Sequence, residues 1–138
     1  MKISPYLIFD GQAEEAFKFY ETVLKGKLEV MMTFAQAPDC KDIPQEQKTR
    51  IMHTSLRLGD QVLMASDSMC GQPYEGIKGC SVALSPDSVA ECERIFKALS
   101  EGGKVVMALQ ETFWAASFGM LVDRFGVSWM VSCEKPHA

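Results

Sequence analysis

Residues 13–27 read AEEAFKFYETVLKGK, and residues 90–104 read AECERIFKALSEGGK. At a shift of 77 positions, Ala13-Glu14 falls on Ala90-Glu91, Phe19 on Phe96, and Gly26-Lys27 on Gly103-Lys104. Each stretch carries a helical stripe. Ala13, Ala16, Phe17, Tyr20, Val23 and Leu24 recur with the helical period and predict a helix over about residues 12–25. Lys25 falls in its last turn, and Gly26 stands where a C′ glycine stops a helix. Val89, Cys92, Ile95, Phe96 and Leu99 predict a second helix over about residues 87–101, capped by Asp87 or Ser88 and ended by Gly102-Gly103. A repeat of this length says more about fold than any short motif.

Working outward, the segments around both helices are β-branched, aromatic or methionine-rich. Residues 3–9, 27–34, 51–58 and 61–67 read as strands in the first half, and 79–84, 104–110, 117–124 and 128–134 in the second. Gly59-Asp60 and Phe125-Gly126 read as tight turns between antiparallel neighbours. Met64-Ala65-Ser66 falls on Met130-Val131-Ser132 at a shift of 66, so the first copy holds an insertion. That insertion is the polar loop 35–49, which contains Pro38 and Pro44. The order is β-α-β-β-β twice. The expectation is an α+β chain, one domain over residues 1–138 in two tandem modules, about 1–68 and 78–135.

Composition narrows the function. The 138 residues carry 14 Lys+Arg against 18 Asp+Glu, a formal net charge of -4, with 47% hydrophobic and 23% charged residues. This is the make-up of an ordinary globular domain and not of a basic nucleic-acid binder. No stretch approaches the ~20 apolar residues of a membrane span. The apolar run from Ile3 to Phe9 is too short for a secretory core and reads as a strand. Cys40, Cys70, Cys80, Cys92 and Cys133 form no CxxC pair, and their scatter suits a reducing cytoplasm. The nine methionines read as flexible core filler or pocket lining. His53 and His137 are the two histidines, and the second is next to the last residue. A site needing two imidazoles from the body of one chain cannot be built.

Several phrases then carry a likeness. They are Ser4-Pro5-Tyr6, Phe9-Asp10-Gly11 with Glu15-Ala16 and Phe19-Tyr20, Leu63-Met64-Ala65-Ser66-Asp67, Gln110-Glu111-Thr112-Phe113-Trp114, and Asp123-Arg124-Phe125-Gly126-Val127-Ser128-Trp129-Met130. The chain resembles the PhnB-like branch of the vicinal oxygen chelate superfamily, which includes glyoxalase I, extradiol dioxygenases and bleomycin-resistance proteins. The resemblance implies two βαβββ modules whose curved, mostly antiparallel sheets surround a cup, and a homodimer. It also implies a divalent metal held by His, Gln or Glu on the first and last strands of each module. Tyr6, Met64, Ser81 and Met130 fall at those positions, and none is a usual ligand for Zn, Fe(II) or Mn. Two thioethers would suit Cu(I), but methionines in strand interiors more often pack. No metal ligand and no cofactor is expected. Nor does a Gly-rich strand-to-helix loop for adenosylmethionine appear, since Gly102-Gly103 follows a helix.

In the resembled fold one face of each sheet meets its helix and the other lines the cup. Strand alternation then places Met52, Leu56 and Leu58 toward a helix and leaves His53, Ser55 and Arg57 in the cup. Tyr6, Ile8, Met64, Ser66, Ser128, Met130 and Ser132 join them by the same count. The candidate ligand-binding residues are Tyr6, His53, Arg57, Ser66, Glu111 and Trp114. His53 is either a general base or a histidine hydrogen-bonded for structure. Arg57 is either a bidentate clamp for carboxylate or phosphate or a strand-end side chain reaching solvent. Glu111 offers a carboxylate base or lone metal ligand, beside Trp114 as a flat wall, with 110–117 as pocket edge or lid. The alternative for Trp114 is a plug in the core or a subunit interface. Asp67 reads as a cap for the turn after its strand, and Asp123-Arg124 as a turn pair. The favoured function is binding of a small molecule in a largely apolar cup without the usual metal. The alternative is a divalent-metal enzyme of isomerase, lyase or dioxygenase type, using ligands such as His53 and Glu111.

Overall fold

The computed structural model describes residues 1–37 and 42–135, so Pro38, Cys40 and His137 lie outside the described residues. The chain runs β1 (Tyr6–Phe9), α1 (Ala13–Leu24), β2 (Lys27–Thr33), a 3₁₀ turn (Phe34–Gln36), α2 (Gln45–Lys48), β3 (Ile51–Leu58) and β4 (Gln61–Asp67). It continues with β5 (Val82–Leu84), α3 (Val89–Ser100), β6 (Lys104–Gln110), β7 (Ala115–Val122) and β8 (Ser128–Glu134). The fold is α+β, with two four-stranded sheets ordered β1-β4-β3-β2 and β5-β8-β7-β6. β1 runs parallel to β4 and β5 parallel to β8, while the remaining neighbours are antiparallel. The chain divides into two compact units, Met1–Gly76 and Ile77–Ala138. No helix among the described residues is long and apolar enough to cross a membrane.

Each unit buries one helix stripe on one sheet face. Ala13, Ala16, Phe17, Tyr20 and Val23 of α1 are buried, and α1 packs on β2, β3 and β4. Leu7, Phe9, Leu56, Leu63 and Ala65 complete this core, with the Phe17 ring edge-on to Phe9 at 6.3 Å. In the second unit Cys92, Ile95, Phe96 and Leu99 of α3 meet β6, β7 and β8, which contribute Leu121, Trp129, Val131 and Cys133. Each large apolar side chain so buried contributes about 1.5–3 kcal/mol.

The repeated Gly-Lys pair has a different cause from the one its position suggests. The left-handed residue after α1 is Lys25 (φ 57°, ψ 42°), and Gly26 is not left-handed. Gly26 is needed because a Cβ there would lie 2.8 Å from the Arg57 carbonyl and 2.7 Å from Leu58 Cδ2. At Gly103 a Cβ would lie 2.3 Å from the Val122 carbonyl. In both copies the chain leaving the helix grazes the neighbouring strand. Gly119 serves close packing too, because a Cβ there would lie 2.7 Å from the Phe96 ring of α3.

Other expectations need correcting. β1 begins at Tyr6 and β5 at Val82, because parallel pairing with β4 and β8 covers only those residues. β7 spans Ala115–Val122, two residues earlier than alternation suggested, and Asp123 instead organises the turn into β8. Asp123 Oδ1 accepts from the Phe125 and Val127 amides, and Oδ2 accepts the indole N–H of fully buried Trp129 at 2.8 Å. Asp67 does not cap its own following turn. Its Oδ1 accepts from the Gly11 and Ala13 amides at the start of α1, and its Oδ2 from the Ile51 amide of β3. The 35–49 loop contains α2, whose Gln47 is fully buried, donating to the Ser68 carbonyl and accepting from the Cys70 amide. This end of the loop is anchored beside the end of β4.

Candidate ligand-binding face

In the first unit the sheet face opposite α1 is formed by alternate residues of four strands. Register places Tyr6 of β1 beside Met64 of β4, Met64 beside Ser55 of β3, and Ser55 beside Val30 of β2. One step along lie Ile8 beside Ser66, and His53 beside Met32. Tyr6 and Ile8 remain 45% and 40% exposed, while Met64, Ser66, His53 and Met32 are half-buried. The face is thus apolar with a few hydroxyls and one imidazole, the usual lining of a small-molecule site.

Two bulges shape this face. One extra residue, Glu29, stands between the Leu28↔Leu56 and Val30↔Ser55 pairs, so Val30 and Met32 turn toward the open face. A second extra residue, Met52, separates Met32↔His53 from Thr33↔Ile51. Beyond it the parity reverses. Ile51 becomes the fully buried core residue, and half-buried Met52 does not take the helix-facing position its alternation implied. Val30 and Met32 were missing from the cup read off the sequence, because a bulge carries no mark that would reset the count.

The chemistry centres on one contact. Tyr6 Oη lies 3.0 Å from His53 Nδ1, and the two rings stack with centroids 5.7 Å apart at 19°. The direction of this bond follows the imidazole tautomer: where Nδ1 carries no proton the Tyr6 hydroxyl donates to it, and where Nδ1 carries one the hydroxyl oxygen accepts. The sequence named both residues and not their bond. Ser66 lies on the same face. Arg57 does too, but its Nε donates to Glu29 Oε1, which commits it to an ion pair on the bulge. The hydrogen bond from Arg57, aided by that guanidinium's charge and by Lys27, holds the Glu29 carboxyl below its ordinary range. Tyr74 donates from its hydroxyl to the Ile8 carbonyl at 2.7 Å, on the free side of β1. Burial of that phenol, with Asp10 and Asp67 nearby, raises its pKa.

The second unit has its own open face. Ser128, Met130 and Ser132 of β8 stand beside Val122, Met120 and Phe118 of β7. Met130 pairs with Ala83, so Ala83 and not Ser81 is the counterpart of Tyr6. Ser81 lies two residues earlier, with its hydroxyl 2.7 Å from that of Ser128. Glu111 and Trp114 sit in the turn between β6 and β7, closed by Thr112 N–H to the Ala115 carbonyl and Ala115 N–H to Thr112 Oγ1. This is a tight hairpin. Trp114 is 53% exposed, so it is no core plug, and it meets Phe118 and Phe113 edge-on at 5.5 and 4.8 Å. Glu111 is exposed. The six candidates therefore fall into two groups, Tyr6, His53, Arg57 and Ser66 on the first unit and Glu111 and Trp114 on the second.

The four strand positions at which metal ligands were implied hold Tyr6, Met64, Ala83 and Met130. They offer neither imidazole nor carboxylate, so they do not fit a divalent Zn, Fe or Mn ion. Among the described residues no three His, Cys, Asp or Glu side chains gather into a group able to hold a metal. Cys70, Cys80, Cys92 and Cys133 are free, and burial of Cys92 against Cys133 raises its thiol pKa to about 11, which makes it inert.

The family model described as 3-demethylubiquinone-9 3-methyltransferase matches residues 1–132. Protein YjdN of Escherichia coli K12 is 34% identical over 98% of this chain and 97% of its own. The crystal structure of protein PA1353 from Pseudomonas aeruginosa superposes with a TM-score of 0.91 at 54% identity, covering 99% of both chains. A Bacillus cereus structure named as a putative 3-demethylubiquinone-9 3-methyltransferase, PhnB protein, superposes at 0.79 with 24% identity, over 96% of this chain and 99% of its own. Glyoxalase/bleomycin resistance structures at 14% identity and TM-scores of 0.64 share the fold alone.

Proposed function

The chain belongs to the PhnB-like family whose model is described as 3-demethylubiquinone-9 3-methyltransferase, and on that premise we propose that it binds a small organic molecule on the open face of its first sheet, with no divalent metal. The observation that carries this reading is the Tyr6–His53 hydrogen bond, set among Ile8, Val30, Met32 and Met64. An apolar surface gives affinity by area, and a small number of placed polar groups gives orientation. The methyl transfer in the family's description is not part of this reading, because Gly102 and Gly103 end α3 where a nucleotide loop would open a helix. The protein acts as a homodimer in a reducing cytoplasm. Val105, Val106 and Met107 on the edge strand β6 support pairing, being 45%, 57% and 40% exposed. The free cysteines support the compartment.

A thermal-shift screen of small organic molecules tests the binding reading, run on the wild type and on Ile8→Glu. Ile8 is part-exposed, so the new carboxylate charges the face without entering the core. Ligands at a hundredfold excess over Kd should stabilise the wild type by about 2.7 kcal/mol, and Ile8→Glu should lose that gain. Hits that ignore Ile8→Glu, or stabilisation by divalent ions alone, contradict it.

A further inference from the structure

We infer that two copies of this chain join through β6, laid antiparallel and edge to edge about a two-fold axis, so that the second unit's sheet continues into that of the other copy. The inference rests on the homodimer reading above and names the surface that makes it. β6 ends its sheet, and one side of its backbone has no strand beside it. Open edges recruit further strands unless they are short, covered or charged. Among the described residues the chain protects its other three sheet edges in these ways. β1 has four residues, and the Tyr74 hydroxyl donates to its Ile8 carbonyl. β5 has three residues. β2 has seven, as β6 does, but carries Lys27 and Glu29, with Glu29 held by Arg57. Between Lys104 and Gln110, β6 carries no charge at all.

The internal repeat supplies the control. Glu29 is the extra residue of the bulge between Leu28↔Leu56 and Val30↔Ser55. At a shift of 77 positions, Val106 is the extra residue between Val105↔Leu121 and Met107↔Met120. Arg57 pairs in register with Lys27, and Val122 with Lys104. The place that holds a Glu29–Arg57 ion pair in the first unit therefore holds Val106 and Val122 in the second. Val106 is nonetheless 57% exposed. One edge is finished for water and its counterpart is finished for a partner. Charge then selects the partner and the direction. β6 starts at Lys104 and is followed by Glu111, and among the described residues neither has an ion-pair partner. Within one chain they stand at opposite ends of an extended run, roughly 23 Å apart. Antiparallel pairing of two copies sets each Lys104 toward the end that carries the other copy's Glu111, whereas parallel pairing sets like charges together. A strand so patterned is complementary to itself under a two-fold axis, the commonest symmetry of soluble oligomers.

The test is sedimentation equilibrium of the intact chain and four variants at micromolar concentration. The wild type should be a dimer. Val106→Glu should weaken it about ten-fold or more, because pairing would bury an unmatched carboxylate. Val106→Glu/Val122→Arg installs the charge pair that the first unit already carries at this place. It should be a monomer with wild-type circular dichroism, which separates loss of the interface from loss of the fold. Lys104→Glu should weaken the dimer about three-fold, and adding Glu111→Lys should restore it, because the exchanged charges meet only across an antiparallel interface. A dimer that persists in Val106→Glu and in the charge-pair variant overturns this interface and leaves the homodimer reading standing. No loss in Lys104→Glu, or no recovery with Glu111→Lys, overturns the antiparallel pairing. A monomeric wild type overturns both this inference and the homodimer reading, and leaves the ligand-binding reading to the thermal-shift screen.

Discussion

Asp67→Ala should lower the stability of the chain by about 4 kcal/mol, read from urea denaturation. Asp67 is 4% exposed and accepts three backbone N–H groups, from Gly11 at 2.9 Å, Ala13 at 3.0 Å and Ile51 at 2.8 Å. One carboxylate at the end of β4 thus fastens the entry of α1 and the start of β3. Alanine leaves the buried Ala13 and Ile51 donors without their acceptors. An orphaned buried donor costs about 1–3 kcal/mol, and hydrogen bonds to a charged group are the stronger kind. Asp67→Asn keeps one acceptor oxygen and turns an NH₂ toward a donor, so it should lose about half as much. A loss below about 1 kcal/mol for the alanine variant would show that the carboxylate does not hold these elements together.

Gly103→Ala should cost about 3 kcal/mol or more, although it adds one methyl group and needs no unusual φ. The new Cβ would stand 2.3 Å from the Val122 carbonyl and 2.9 Å from Asp123 Cα, backbone atoms that cannot rotate aside. Lys104 pairs with Val122, so relief requires β6 to separate from β7 at its first rung. Overpacking a rigid site usually costs about 1–3 kcal/mol, and backbone neighbours place this one at the upper end. Gly59→Ala is the comparison. Its φ of +66° makes alanine strained, yet nothing lies within 4 Å, so about 1 kcal/mol is expected. Equal losses for the two variants would mean that φ and not the strand contact sets the cost.

The same glycine shows how much the sequence carried. The 77-position repeat correctly paired Gly26 with Gly103, but the count along β5 gave Ser81 where Ala83 faces Met130 as Tyr6 faces Met64. Both helices were legible because their buried stripes are local and periodic. The reason for Gly26 was not, because the Arg57 carbonyl that forbids a side chain lies far along the chain. Asp67 failed for the same reason: its partners are 16 to 56 residues away, and a turn cap was the nearest local use for it. In the candidate site, simple alternation sufficed for Tyr6, Ile8, Met64 and Ser66. It broke at Glu29 and Met52, where single extra residues reset parity and brought Met32 beside His53. Arg57 was placed on the right face but not with its partner, because Glu29 is next to it only through that bulge. Trp114 read as a binding wall or, more readily, as a core plug or subunit interface, since an aromatic side chain after a strand carries no mark of exposure.

On the proposed reading the first sheet's open face serves an organic ligand and not a divalent metal. The most direct test is native mass spectrometry of untagged protein purified without chelator and exchanged into volatile buffer. The prediction is a dimer mass with no stoichiometric divalent metal, and any retained partner should be an organic mass lost in Ile8→Glu. A divalent ion retained in every chain would contradict the account and turn attention to His53 and the carboxylates as its ligands.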